Sequence, residues 1–105
     1  MIVVDFLVQL AQPVQKGIDL GLTWAQYVKK SGGNIEVFQR QNGKINQLVL
    51  RELFDSLSDW EQFKQKMDNA LKNDPEAKAI FKNYTDNPEM FFDAFERHFW
   101  ERLDL

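Results

Sequence analysis

Few groups of residues in this chain have the types and spacing of a known catalytic constellation. His98 is the only histidine, and imidazole titrates closest to neutrality, so it is a candidate general base or proton switch. No cysteine is present, and no G-x-S-x-G, H-E-x-x-H or glycine-rich phosphate loop accompanies the histidine to complete a triad, a metal site or a nucleotide cradle. A surface or interface role for His98 therefore outweighs catalysis. A second set is Asp5, Arg40 and Gln47, read together with the neighbouring Leu7, Phe38 and Val49. An apolar ground carrying a few polar groups is the makeup of a ligand pocket, although the same set would equally make an inter-strand or inter-subunit ion pair, the commoner outcome. The candidate ligand-binding residues are thus Asp5, Phe38, Arg40, Gln47 and His98, with no metal ligands and no cofactor implied.

What positions these residues can be read from apolar spacing. Val4, Phe6, Val8 and Leu10 alternate with Val3, Asp5, Leu7 and Gln9, the period-two pattern of a strand with one fully apolar face. From Pro13 to Lys30 the steps lengthen to three and four through Val14, Ile18, Leu22, Ala25 and Val28, which predicts a helix ended by Gly32-Gly33. Asn42-Gly43 is the strongest turn signal in the chain, because both residues tolerate the positive φ of a type I′ hairpin. Counting outward from it pairs Val37 with Leu48 and Ile35 with Leu50 on an apolar face, and Arg40 with Ile45, Phe38 with Gln47 and Glu36 with Val49 on a mixed one. A helix through Ile45, Leu48, Val49, Leu53 and Leu57 is the competing reading. Ser58-Asp59-Trp60-Glu61 has the form of a capping box, starting a helix whose stripe is Trp60, Phe63, Met67 and Leu71. Asp74-Pro75 restarts it. Beyond Asn87-Pro88, Phe91, Phe95, Phe99 and Leu103 recur every fourth residue, favouring a helix by period, yet the run is aromatic enough for a strand.

The order strand, helix, hairpin, helix and closing element is that of an α+β ferredoxin-like β-α-β-β-α-β domain, with an all-α bundle as the alternative. Three segments carry a closer resemblance: Asn34 to Arg40 before the turn, Phe54-Asp55-Ser56-Leu57-Ser58-Asp59-Trp60-Glu61-Gln62-Phe63 after it, and Asp74-Pro75-Glu76-Ala77. They resemble the dimeric α/β-barrel superfamily, its NIPSNAP-like and antibiotic biosynthesis monooxygenase-like branches, in an F-x-S-L-x-x-W/Y-x-x-F helix start followed by D-P-E. The resemblance spans roughly the middle two-thirds of the chain. It implies a homodimer with sheets paired into a barrel, and it implies a strand over Met90 to about Trp100. The superfamily's haem-degrading members carry an Asn on the first strand and a His on the second helix. Here Asp5 occupies the first strand and no histidine lies between Ser58 and Tyr84, so that chemistry does not carry over. Trp60 matches an aromatic common at that helix start, where packing is its usual work.

Composition bounds the remainder. With 105 residues, 44 % hydrophobic and 28 % charged, one globular domain is expected. A formal net charge of −3 offers no basic field for nucleic acid or anionic lipid. Met1 to Ala11 carries Asp5 at its centre and no basic leader, and it is far short of the roughly 18 apolar residues of a membrane span, so a cytoplasmic protein is expected. Nine Phe, three Trp and two Tyr exceed what one small core readily hides, which also favours a homodimer. The expected function is a non-catalytic module that binds a small apolar or aromatic molecule or a protein. The alternative is a cofactor-independent monooxygenase or isomerase, with Arg40 holding an oxyanion and Asp5 moving a proton inside one enclosed cavity.

Overall fold

The computed structural model describes residues 1–40, 46–87 and 96–105. Its elements are β1 (Ile2–Gln9), α1 (Val14–Lys30), β2 (Ile35–Gln39), β3 (Gln47–Phe54), α2 (Leu57–Asn73), α3 (Pro75–Asp86) and β4 (Glu96–Glu101). The strands form one antiparallel sheet in the order β2-β3-β1-β4, the ferredoxin-like arrangement, with α1 and α2 packed on one face. The all-α alternative is not supported. β3 replaces the competing helix over residues 45–57, and β4 replaces the helix that the four-residue spacing around Phe99 favoured. The Asn42-Gly43 turn and Phe91 to Phe95 lie outside the described residues.

The hairpin register differs from the sequence count by two residues: Val37 pairs with Leu50 and Ile35 with Glu52. A two-residue slip keeps every side chain on its face, so Ile35, Leu48 and Leu50 are buried as expected, at 3 %, 2 % and 6 % exposure. The other face decides between the registers. The observed pairing sets Glu36 against Arg51 and Phe38 against Val49, and Arg40 donates its N–H to the Gln47 carbonyl at 2.9 Å. Charge thus meets opposite charge and apolar meets apolar, where the counted register would mix them.

Local rules place the helices. α1 ends where Gly32 takes φ of 95°, a left-handed conformation that suits glycine. Its buried line runs through Gly17, Leu20, Ala25, Tyr27 and Val28, which leaves Leu22 of the expected stripe exposed. At α2 the cap is Ser56, whose hydroxyl accepts the Asp59 amide at 3.2 Å. Ser58 instead lies within the first turn. Both serines head an S-x-x-acid pattern, and the one nearer the end of β3 wins because the chain turns directly out of the strand. Asp74 caps α3, accepting the Glu76 amide at 3.0 Å, with Pro75 in the first turn as expected. The same carboxylate accepts the Tyr27 hydroxyl at 2.6 Å, which fastens the end of α1 to the start of α3.

Candidate functional site

The sheet presents two faces of different chemistry. On the outer face, away from the helices, cross-strand pairing builds rows. Val3, Leu53 and Trp100 form one apolar row, and Leu7, Val49 and Phe38 form another. Between them runs a charged row: Asp5 pairs with Arg51 on one side and His98 on the other. Arg51 donates to both oxygens of the Asp5 carboxylate, Nε to Oδ1 at 2.7 Å and Nη2 to Oδ2 at 2.9 Å, and the Trp100 indole donates to Oδ2 at 3.1 Å. Asp5 is only 5 % exposed, and a buried carboxylate survives because three donors replace its water. The Arg51 hydrogen bonds hold its carboxyl below the ordinary carboxylate value.

All five residues singled out from sequence stand on this face. His98 lies 3.1 Å from a Glu96 carboxylate oxygen and stacks on Trp100 at 6.1 Å between ring centroids. Arg40 reaches the Gln47 side chain at 3.5 Å, and Phe38 lies under the Arg51 guanidinium at 5.3 Å. The face does not bring Asp5 and Arg40 together. Asp5 is taken by Arg51, a residue that sequence reasoning missed because it rests on the pairing of β1 with β3, which the hairpin count did not reach. Asp5, Arg51, Glu36 and Trp100 line a groove with Val3 and Leu53, more open to solvent than the space on the other face.

The less open space is on the other face. Between the sheet and the helices lies a cavity of about 460 Å³. Val4, Phe6, Val8, Leu48, Leu50 and Phe54 floor it from the sheet, while Leu20, Trp24, Met67, Leu71 and Ile80 are among the helix residues that roof it. Gly21 permits close approach of α1, since a Cβ there would lie 2.5 Å from Leu48 Cδ2. Exposed Lys64, Asp68, Phe81 and Arg97 also line the space and mark its mouth.

One carboxyl breaks the apolar floor. Glu52 pairs with Val4 on one side and Ile35 on the other, so register alone aims it inward with Leu48 and Leu50. Desolvation there raises its carboxyl above the ordinary range, and the Arg97 charge opposes that rise. Arg97 pairs with Phe6 and spreads its guanidinium over that ring at 5.5 Å. Glu52 escaped the sequence reading because the counted register left it beyond the end of β2. Its signal was the single charge in the alternating Leu48, Leu50, Glu52, Phe54 row. Among the described residues no group of three or more histidine, cysteine or carboxylate side chains could hold a metal, and no helix is long and apolar enough to cross a membrane.

Known structures share this architecture. An uncharacterised NIPSNAP domain protein from Burkholderia xenovorans superposes with a TM-score of 0.74 at 14 % identity, covering 98 % of this chain and 95 % of that one. A NIPSNAP family protein from Agrobacterium tumefaciens gives 0.70 at 17 % identity, covering 98 % and 93 %. A protein provisionally described as an antibiotic biosynthesis monooxygenase, from Deinococcus radiodurans, gives 0.65 at 12 % identity, covering 100 % and 95 %. No family model and no curated protein matches the sequence. The chain thus has the fold of NIPSNAP domain and antibiotic biosynthesis monooxygenase-like proteins.

Proposed function

We propose that this chain, which folds as NIPSNAP domain proteins do, is a small-molecule-binding module whose ligand occupies the cavity between the sheet and the helices. The observation that carries this reading is an apolar space of about 460 Å³ inside a 105-residue chain. Protein interiors ordinarily close such space by packing, and cavities of roughly 300–1,000 Å³ are the size that small ligands occupy. Trp24, Trp60 and Phe63 among the lining suit a flat aromatic body. A soluble bicyclic probe, 2-naphthol, tests it: at about 100 times its dissociation constant it should add about 2.7 kcal/mol to unfolding stability. An unmoved unfolding midpoint at millimolar probe would refute the reading.

Catalysis by a cofactor-independent monooxygenase or isomerase stays a second reading on one observation. Glu52 is a half-buried carboxyl in the cavity wall, raised by desolvation, and a carboxyl in such a place is a candidate proton carrier. Asp5 and Arg40 have no part in it, because neither lines that space.

The module works as a homodimer in this reading, paired through the outer sheet face. Trp100 and Phe38 are 54 % and 44 % exposed there, flanking the Asp5–Arg51 pair, and the alternating apolar and charged rows can meet their own symmetry copy. Sedimentation at micromolar concentration should give twice the 12.4 kDa chain mass. Replacing Trp100 by Lys should return the monomer, and a wild type that sediments as a monomer would remove the dimer from the reading.

A further inference from the structure

We infer that Glu52 and Arg97 together make the cavity selective for a neutral ligand bearing a hydroxyl group on an apolar body; this rests on the cavity being the binding site. Both residues line the cavity, Glu52 from β3 and Arg97 from β4, with the Val4 and Phe6 positions of β1 between them. Among the described residues the Glu52 carboxyl has no hydrogen-bond partner, and the Arg97 guanidinium has only the Phe6 ring. The two charges act on each other, yet no ion pair closes between them, so each keeps hydrogen-bonding capacity directed at the same space.

Glu52 is half-buried and Arg97 exposed, so both keep water until a ligand fills the space, and a group stripped of that water and left unpaired is costly. A group set between these two must therefore donate to one and accept from the other. A hydroxyl does both with a single oxygen, and it suits Glu52 whether that carboxyl is ionised or protonated. A ligand carboxylate would satisfy Arg97 but stand against an ionised Glu52, and an ammonium would satisfy that Glu52 but stand against Arg97. Each charged alternative gains one contact and meets one like charge. The hydroxyl meets none.

Three probes of one shape separate the possibilities by calorimetric titration: naphthalene, 2-naphthol and 2-naphthoate. The expected order has 2-naphthol about tenfold tighter than naphthalene, one hydrogen bond to a charged group being enough for that ratio, with 2-naphthoate weaker than 2-naphthol. In Glu52→Leu the advantage of 2-naphthol over naphthalene should vanish while naphthalene still binds, and 2-naphthoate should tighten. Arg97→Met tests the other half and should weaken 2-naphthoate most. Naphthalene binding as tightly as 2-naphthol, 2-naphthoate binding tightest, or an advantage that survives Glu52→Leu would each overturn the selectivity and leave the cavity site standing. Failure of all three probes to bind would overturn both.

Discussion

Leu48→Ala should cost about 3 kcal/mol of unfolding stability, within the roughly 2–5 kcal/mol of buried leucine truncations. Leu48 is 2 % exposed, lies in the middle of the core cluster and is pressed by α1 at Gly21, where an added Cβ would stand 2.5 Å from its Cδ2. That contact gives the prediction a second arm. Gly21→Ala on its own gains helix propensity but must push Leu48 aside. In the Leu48→Ala background the space is free, so the same change should return about 1 kcal/mol, the helix advantage of Ala over Gly. Urea unfolding of the four proteins measures both numbers. Purely additive effects would mean that α1 does not rest on Leu48.

Asp5→Ala should cost about 2 kcal/mol at pH 7, less than the roughly 3–5 kcal/mol for breaking a fully buried pair because the Arg51 side chain is 40 % exposed and water can take it back. The cost is pH-dependent with a definite sign. The Asp5 carboxyl is held below its ordinary 3.8 by Arg51, so the unfolded chain takes up the proton first as pH falls. The stabilisation is complete well above 3.8 and is lost as pH drops through the lower folded value. Wild type and Asp5→Ala should therefore converge in acid. A gap that stayed constant from pH 7 down to the acid limit would show that Asp5 acts by packing and not by charge.

How much of this was legible in the sequence depends on which physical signal each residue carries. Strand β1 was readable because alternation along Val4, Phe6 and Val8 is a local property, and α3 was readable because Asp74-Pro75 is a local cap. The faces of β2 and β3 were also readable, since parity survives a two-residue slip. The register itself was not, and neither was the pairing of β1 with β3. Glu52 faces inward by the same parity as Leu48 and Leu50, but only the long-range pairing of β1 with β3, Asp5 against Arg51, shows that Arg51 and not Arg40 takes Asp5. β4 was hidden from local periodicity, though the family resemblance implied a strand over Met90 to about Trp100. A four-residue aromatic spacing is helical by period, and only pairing with β1, which no local window contains, makes Glu96 to Glu101 a strand. Arg97 shares that fate, because nothing near it in sequence says that it stands beside Phe6.

The claim that the cavity is where a ligand binds can be read from the three indole N–H signals in a proton–nitrogen correlation spectrum. Trp24 and Trp60 line the cavity, whereas Trp100 lies on the opposite face of the sheet with its indole on Asp5. Titration with 2-naphthol should shift the Trp24 and Trp60 signals together, along one saturable curve, and leave Trp100 in place. A shift confined to Trp100, with Trp24 and Trp60 unmoved, would put the ligand on the outer face and contradict the account.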